Sequence, residues 1–425
     1  MIKEIELIDW KSFKRATLFI DPLTILIGAN ASGKSNALDA LVFLQRISSG
    51  VALTSSLQGD VTISEIRGGV DWANRRGQNS FTLKSVVSLP EERTEFIYSI
   101  EIEIIEQRCQ IKYESLIRRK FRPKTEKNPY EIKLFWTDDC VKDSPSITVR
   151  LYNEKKGSPR PCARTHSVLA QLFIQADAGL RKEISHGIKS ISKGLKSIFI
   201  LDPIPSHMRG YSSLSEELKP DASNIAGVIA ALPKESKNNI ERTLTHYIKN
   251  LPEKDVISVY SEHVGKFEAD AMLYCEEKWV DSAESKTIID AKGMSDGTLR
   301  FLAILVALLT RPHDSLLVVE EIDNGLHPSR SQLLVKVLKE IGQKRAVDIL
   351  ITTHNPALLD SLGEEMIPFV TITHRDSKNG FSKLTLLEDI EYLPKLLAGG
   401  TIGKLSSEGK IEGALKVSQK KYGTI

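Results

Sequence analysis

The sequence lacks the features that anchor a chain in a membrane or cross-link it covalently. Its 425 residues contain only four cysteines without any C-x-x-C spacing, which predicts reduced thiols that bind no metal. No apolar run approaches the roughly 18 residues that span a bilayer. Acidic residues interrupt the first ten positions, MIKEIELIDW, which argues against a secretory signal. We therefore expect a cytoplasmic protein without a membrane partner.

A strong net charge and a repeating pattern are also missing. The formal net charge is +3, so any contact with nucleic acid must depend on a local basic patch. The sequence has no internal repeat, low-complexity tract or heptad series, and this excludes a long coiled-coil arm. A hydrophobic content of 41% is enough for folded cores. The length predicts about two or three domains.

One stretch near the amino terminus carries the clearest chemistry. An apolar run at residues 23–27 predicts a buried strand, and Leu38, Leu41 and Leu44 have the spacing of a helix. Between them lies GANASGKS, residues 28–35, a G-x-x-x-x-G-K-S motif in the strand–helix context that defines a P-loop. The predicted nucleotide-binding residues are Gly28, Ala29, Asn30, Ala31, Ser32, Gly33, Lys34, Ser35 and Asn36.

The residue types in this motif suit ATP and Mg²⁺, which are the expected cofactors. Gly28 and Gly33 allow a tight turn that points backbone N–H groups at phosphate oxygens. The amino end of the following helix adds the positive end of its dipole. Lys34 is predicted to bridge the β- and γ-phosphates, and the Ser35 hydroxyl to bind Mg²⁺.

Paired acids follow an apolar strand in the second half of the chain. In LLVVEEIDNGLHP, residues 316–328, we assign Glu320 to the metal and Glu321 to the base that polarises the attacking water. A second apolar strand leads into LITTHNP, where His354 is placed to hold the γ-phosphate. The predicted catalytic residues are Glu321, His354 and Lys34, and the predicted metal ligands are Ser35 and Glu320.

The segment GMSDGTLR, residues 293–300, precedes a long apolar helix. Ser295 is typical of a helix N-cap, and the N–H groups around Gly297 form a further anion site. A plain helix cap is the alternative interpretation of the same residues.

These motifs together resemble the ABC-type ATPase heads of the SMC, RecF and OLD-like group, which includes AAA-family ATPases of bacterial phage-defence systems. The matching segments are WKSF, GANASGKSN, MSDGTLR, EEIDNGLHP and TTHNP, in the order of that family. The resemblance implies an α/β fold, a P-loop NTPase head with a mixed core sheet, an antiparallel β subdomain and a helical lobe. We divide it into an amino-terminal half at 1–117, an inserted hairpin and helical lobe at 118–250, and a carboxyl-terminal half at 251–425.

The resemblance also implies that two chains dimerise head to tail around two ATP molecules. Ser295 and Gly297 of one chain would then face the P-loop of the other, and His354 would be the switch histidine. Asn324 and Gly325 would form the loop that crosses the dimer. The sequence departs from the family at Glu320, where aspartate is usual, and no residue is assigned to the glutamine loop.

Outside these motifs, β-branched and aromatic runs at 80–88, 95–105 and 109–117 predict an antiparallel meander. Runs at 130–136 and 146–153 predict an inserted hairpin. The segment RRKFRPKTEK, residues 118–127, is strongly basic, and further cations follow in turn-rich sequence at Lys155, Lys156, Arg160 and Arg164. Direct contact with DNA is one hypothesis for these side chains. A solvated loop and a surface for an acidic protein are the alternatives.

The leading functional hypothesis is an ATP-hydrolysing switch subunit, a homodimer or higher homo-oligomer, that acts in phage defence or DNA repair. About fifty residues follow the segment FVTITHRDS, residues 369–377, too few for a nuclease domain, so we expect an effector such as a nuclease on a separate chain. Two alternatives remain open: a transporter-type ATPase that drives a membrane partner, and a nucleotide-bound scaffold with little hydrolysis. Steady-state ATPase assays and pull-downs separate the three.

Overall fold

The computed structural model describes residues 1–121, 129–140, 144–177, 179–251, 256–278, 286–391 and 393–421. The chain forms two compact units, and each is built from separated segments. The first unit comprises residues 1–198, 371–390 and 415–425, and the second comprises residues 199–370 and 391–414. The division at residues 117 and 250 stays a prediction.

Strands predominate in the described part of the first unit and helices in that of the second. The strands are β1 Ile2–Ile8, β2 Arg15–Phe19, β3 Leu23–Ile27, β4 Ser80–Leu89, β5 Thr94–Ile105, β6 Arg108–Lys120, β7 Tyr130–Thr137, β8 Ser146–Leu151, β9 Ser158–Ala163, β10 Ile198–Leu201, β11 Ser212–Ser213, β12 Val256–Val264, β13 Asp270–Lys278, β14 Lys286–Asp290, β15 Leu316–Val319, β16 Asp348–Thr352, β17 Val370–Arg375 and β18 Ser382–Leu386. The helices are α1 Lys34–Ser48, α2 Leu53–Gln58, α3 Val168–Phe173, α4 Lys182–Lys196, α5 Pro205–Met208, α6 Ile225–Ala231, α7 Lys234–Ile248, α8 Asp296–Thr310, α9 Ser331–Arg345, α10 Pro356–Asp360, α11 Leu393–Leu397, α12 Ile402–Ser407 and α13 Lys410–Lys421. The predicted α/β fold class is confirmed.

An eight-stranded antiparallel sheet dominates the first unit, with the order β2-β1-β4-β5-β6-β7-β8-β9. The predicted meander is confirmed, because β4, β5 and β6 are neighbours in it. The predicted hairpin also forms from β7 and β8, but it continues this sheet instead of standing apart as an insertion. The sequence analysis missed β9, whose prolines 159 and 161 are tolerated because the strand lies at the sheet edge.

The core of this unit lies between one face of the sheet and helices. Alternate residues of β5 are buried, among them Phe96, Tyr98 and Ile100. Helix α4 packs on the same strand and buries Ile188 and Ile191. Removing one such side chain from water contributes about 1.5–3 kcal/mol to the stability of the fold. The periodicity of buried residues, two in the strand and 3.6 in the helix, determines which face of each element packs against the other.

A buried carboxylate links the sheet to α3. Glu114 on β6 is inaccessible to solvent and accepts hydrogen bonds from the backbone N–H groups of Val168 (2.7 Å) and Leu169 (2.8 Å). The Tyr98 hydroxyl donates a third bond at 2.9 Å. Burial raises the pKa of Glu114 from 4.5 to about 7, although these three donors act in the opposite direction. Removing the carboxylate would leave buried donors unpaired, which costs about 1–3 kcal/mol each.

We predict that Glu114 makes the stability of the first unit depend on pH. Since its pKa is about 7 in the folded chain and 4.5 when unperturbed, the folded state binds the proton more tightly. The contribution of this group to the free energy of unfolding therefore falls as pH rises between those values, and it is constant above them. Urea unfolding from about pH 5 to about pH 8 should show this slope in the parent and not in Glu114→Gln. Parallel slopes in the two proteins would contradict the assignment.

The second unit contains a smaller antiparallel sheet, in which β13 lies between β12 on one side and β11 and β14 on the other. Helices α6 and α7 pack on β12. Its parallel pair β15 and β16 is buried throughout, with Val319 opposite Ile351. The apolar helix α8 is also almost entirely buried. Among the described residues no helix is both long enough and apolar enough to cross a membrane.

Candidate nucleotide-binding site

The predicted strand–loop–helix unit is confirmed. All five residues of β3 are buried, and α1 begins at Lys34 directly after the loop. The loop backbone enters the left-handed region at Gly28 (φ +148°), Ala31 (φ +60°) and Gly33 (φ +120°). No acidic residue lies in the first turn of α1, so the positive end of the helix dipole is not neutralised within that turn.

The glycines of the loop are required because a β-hairpin lies directly behind them. Strands β17 and β18 pair antiparallel, with Arg375 opposite Ser382. A Cβ atom at Gly28 would overlap the carbonyl oxygen of Thr373. A Cβ atom at Gly33 would lie 2.6 Å from the Ser382 hydroxyl. The loop can therefore pack on the hairpin only without side chains at these two positions.

Two hairpin side chains bind the loop backbone. The Arg375 guanidinium donates to the Ala31 carbonyl at 3.0 Å and to the Gly380 carbonyl at 2.9 Å. The Ser382 hydroxyl donates to the Ser32 carbonyl at 2.5 Å. The hairpin therefore holds the carbonyls of Ala31 and Ser32 from behind the loop.

The hairpin is itself braced by Asp376. Its carboxylate accepts the Lys378 N–H at 2.9 Å and contacts the Lys383 ammonium at 2.5 Å. The Lys383 hydrogen bond lowers the pKa of Asp376 to about 2, with backbone N–H donors assisting. The sequence analysis did not predict this packing, because no local signal places residues 370–386 beside residues 28–35.

The mouth of the loop fits a phosphate group. The Lys34 ammonium donates to the Gly28 carbonyl at 2.6 Å and to the Ala29 carbonyl at 3.1 Å, so a cation lies at the loop. The Ser32 hydroxyl is buried and has no hydrogen-bond partner among the described residues. An unsatisfied buried hydroxyl beside a cation and a helix amino end is a favourable environment for an anion.

A cavity of 890 Å³ lies in the first unit, and Asn36 of α1 is part of its wall. The wall contains one acidic side chain, Asp71, and five basic ones: Lys11, Arg67, Arg75, Arg76 and Arg375. Two of these cations are already paired with carboxylates, Lys11 with Asp39 (2.6 Å) and Arg75 with Asp9 (2.6 Å). Asn36 joins the loop helix to the WKSF segment, because its side chain donates to the Ser12 hydroxyl at 2.7 Å.

Two aromatic rings line the same cavity, and each is paired with an arginine. The Arg75 guanidinium lies 4.7 Å from the ring centroid of Phe381, and the Arg76 guanidinium lies 4.5 Å from that of Trp72. The Trp72 side chain is half exposed. Flat cations and rings of this kind offer stacking surfaces for a planar heterocycle. The sequence analysis did not find these residues, since they come from separate loops.

In the second unit, the paired acids follow β15 as predicted. Glu321 is exposed and has a left-handed backbone (φ +47°), which is uncommon for a glutamate and costs about 1–3 kcal/mol. Its N–H donates to the Thr352 hydroxyl at 2.8 Å, and the Thr352 carbonyl accepts from Ile322 at 3.1 Å. The Thr353 hydroxyl donates to Asp323 at 2.6 Å. These two buried threonines hold the acidic turn and were not predicted as functional.

His354 follows the same strand, β16, and is exposed. Because β15 and β16 are parallel and in register, their carboxyl ends bring Glu320, Glu321 and His354 to one edge of the pair. Asn355 then begins α10, since its side chain accepts the Ala357 N–H at 2.9 Å.

Ser295 is the N-cap of α8, as predicted. Its hydroxyl accepts the Thr298 N–H at 3.1 Å. Gly297 lies against the Gly325 carbonyl, which is 2.8 Å from the position of a Cβ atom at Gly297. The Asn324 N–H donates to the Glu321 carbonyl at 2.8 Å. Within the second unit, the turn at the start of α8 therefore lies against the loop that carries Glu321.

Comparison with known protein families identifies the family of this chain. A family model described as "AAA domain, putative AbiEii toxin, Type IV TA system" matches residues 23–360. The chain belongs to this family. The membership confirms the predicted AAA-type ATPase head. A comparison with curated proteins found no match.

Solved structures similar to this AAA domain include three SMC heads. The SMC head bound to the C-winged helix domain of ScpA is 16% identical, with a TM-score of 0.47 and coverage of 90% of this chain and 97% of that chain. The SMC head domain from Thermotoga maritima is 13% identical, with a TM-score of 0.41 and coverage of 91% and 98%. The Pyrococcus furiosus Smc head with an extended coiled coil, bound to the C-terminal domain of ScpA, is 14% identical, with a TM-score of 0.46 and coverage of 94% and 98%.

Three of the basic residues considered for DNA contact, Arg118, Arg119 and Arg164, are engaged within the AAA domain, whereas Lys120, Lys155 and Lys156 are exposed. Arg164 is 1% exposed, pairs with Glu103 and donates to the Ile111 carbonyl, so the prediction that it contacts DNA is wrong. Arg119 pairs with Glu131 at 2.8 Å. Arg119 also pairs with Glu95 at 3.3 Å, and Arg118 pairs with Glu183 at 3.6 Å. Arg122, Lys124 and Lys127 lie outside the described residues.

We predict that Gly28→Ala abolishes nucleotide binding, because the new methyl group overlaps the Thr373 carbonyl and displaces the loop. Overpacking of this kind also costs about 1–3 kcal/mol of stability. Titration with a fluorescent ATP analogue and thermal unfolding measure the two effects. Gly413→Ala in α13 is the matched control, since its methyl group meets no heavy atom within 4 Å. Parent affinity in Gly28→Ala would show that the loop does not need this packing.

Proposed function

We propose that this AAA domain is an ATP-hydrolysing switch that works as a homodimer or higher homo-oligomer with shared ATP sites. The P-loop supports the proposal most directly. Its turn is fixed by the β17–β18 hairpin, and its mouth combines the Lys34 ammonium with the unsatisfied Ser32 hydroxyl. Predicted loop ligands Gly28, Ala29, Asn30, Ala31, Gly33 and Ser35 then contact the phosphates.

The cavity beside α1 receives the nucleoside end of the nucleotide. Asn36, two residues after Lys34, lines this cavity, so a ligand with its phosphates on the loop can extend into it. The Arg75–Phe381 and Arg76–Trp72 pairs offer flat faces to the base. The positive charge of Arg76 also favours the α-phosphate, whereas that of Arg75 is paired with Asp9.

The residues of the chain have separable roles in hydrolysis. Lys34 compensates the charge that develops on the phosphates. Glu321 accepts a proton from the attacking water, and its strained turn keeps the carboxylate exposed at the strand end. His354 holds the γ-phosphate. Ser35 and Glu320 are the proposed metal ligands, and Mg²⁺ held by them would supply positive charge to the phosphate oxygens.

A second chain completes each site in this proposal. Ser295 and Gly297 present the amino end of α8, whose N–H groups and dipole favour a phosphate. Asn324 and Gly325 lie next to this turn in the same unit. The ATP-dependent dimer then signals to an effector protein, such as a nuclease on another chain, in the cytoplasm. The family description, which names a toxin of a type IV toxin–antitoxin system, supports a role in defence over DNA repair.

We predict that Lys34→Ala removes tight ATP binding, because the phosphates lose their cation. Glu321→Gln should bind ATP with parent affinity but lower turnover about 100-fold or more, since an amide cannot accept the proton. Glu320→Asp should retain activity or raise it. Steady-state phosphate release and ATP titrations measure these effects. A Glu321→Gln chain that turns over at the parent rate would refute the assignment of the base, and a parent chain that binds but never hydrolyses ATP would favour the scaffold alternative.

We predict that ATP brings Glu321→Gln chains together, because trapped nucleotide keeps the shared sites occupied. Light scattering should show a dimer or larger assembly with ATP and a smaller species without it. Glu321→Gln combined with Ser295→Arg is the matched control and should stay small, since the arginine blocks the anion site on α8. A strict monomer of Glu321→Gln at saturating ATP would contradict the shared site.

A further inference from the structure

Arg209 lies beside the turn that precedes α8. It follows α5 directly, and its guanidinium donates to three backbone carbonyls of one short segment. These are the carbonyls of Ala291 (3.2 Å), Lys292 (2.7 Å) and Met294 (2.8 Å). A fourth bond runs to the Asp296 carboxylate at 2.5 Å. One side chain therefore holds four oxygen atoms of residues 291–296.

This convergence of carbonyls needs a cation. Three carbonyl dipoles with their negative ends at one point repel each other unless a positive group lies between them. Arginine suits the position because its Nη1 group lies within hydrogen-bond distance of all three carbonyls, which share its two hydrogens, while Nη2 donates to the Asp296 carboxylate.

The bond to Met294 also sets the direction of the next N–H group. The Met294 carbonyl and the Ser295 N–H belong to one planar trans peptide, so they point in opposite directions. Since the carbonyl points at Arg209, the Ser295 N–H points away from it. Residues 295–297, the turn that begins α8, are thereby oriented without any contact between Arg209 and a ligand.

The pair between Arg209 and Asp296 removes a further obstacle. Asp296 lies at the start of α8, where its negative charge would repel a phosphate. The Arg209 guanidinium neutralises that charge at 2.5 Å. The helix end therefore stays attractive to an anion although an acidic residue occupies its first turn.

We propose that Arg209 is a positioning residue that presents the turn at residues 295–297 to ATP held by the P-loop of a second chain. The inference rests on the shared ATP site proposed above. It assigns to the loop after α5 a role in the turnover of the partner chain, and it makes no claim on nucleotide binding within the same chain.

The test is complementation between two defective chains. Arg209→Ala should lower ATP turnover about tenfold or more while a fluorescent ATP analogue binds its P-loop with parent affinity. When Arg209→Ala chains are mixed with Lys34→Ala chains, mixed dimers contain one intact P-loop facing one intact turn. Turnover of the mixture should therefore exceed that of either chain alone by several fold. A general folding defect in Arg209→Ala would not be rescued in this way.

Three controls separate the outcomes. Arg242→Ala, on the exposed side of α7 in the same unit, should keep parent turnover. Arg209→Lys retains the charge but not the fork, so its turnover should fall between those of the parent and the alanine variant; it is also the variant to mix if Arg209→Ala does not fold. Ser295→Arg mixed with Lys34→Ala tests the shared site independently.

ATP turnover of Arg209→Ala at the parent rate would overturn the inference. The inference would also be overturned if mixing with Lys34→Ala restored turnover to Ser295→Arg chains but not to the Arg209 variants. The proposed function would stand in both cases. Failure of the Ser295→Arg mixture to recover activity would instead refute the shared site, and the role of Arg209 in it.

Discussion

The P-loop depends on close packing between its backbone and a hairpin from the far end of the chain. Arg375 and Ala31, which are 344 residues apart in sequence, share a hydrogen bond, and the Thr373 carbonyl occupies the space where a side chain at Gly28 would begin. A loop of this composition would otherwise sample many conformations, since glycine loses more backbone entropy on folding than other residues. Because packing against the hairpin orders the loop during folding, the entropic cost of ordering it is not added to phosphate recognition.

The second unit solves a related problem at Glu321. A left-handed glutamate is unfavourable by itself, and it persists because buried threonines at the end of β16 hold the turn on both sides of it. The parallel register of β15 and β16 puts Thr352 level with the acidic turn. His354, which follows this strand, is exposed, and the two threonines before it maintain the geometry of the neighbouring acid.

Sequence reasoning succeeded where the signal is local. The P-loop, the strands of the meander and the N-cap at Ser295 each follow from spacing or from a cap residue within a few positions. It failed where the partner is distant in sequence. Arg164 looked like a phosphate contact because of its charge, yet the sheet buries it against Glu103. The arginines of the cavity and Arg209 gave no local signal either, since their roles depend on which backbone atoms the fold brings beside them.

The two units share one design: the groups expected to meet the nucleotide are held by residues that do not meet it. Ser382 and Arg375 hold the P-loop, Thr352 and Thr353 hold the acidic turn, and Arg209 holds the turn before α8. Ser382, Arg375 and Thr352 form hydrogen bonds to backbone atoms, whereas Thr353 and Arg209 also bind the carboxylates of Asp323 and Asp296. At the start of α8 the charge of Asp296 is balanced by Arg209, a residue that also binds the backbone of the preceding turn. Departures from a family motif are therefore to be judged together with the residue behind them, not from the motif alone.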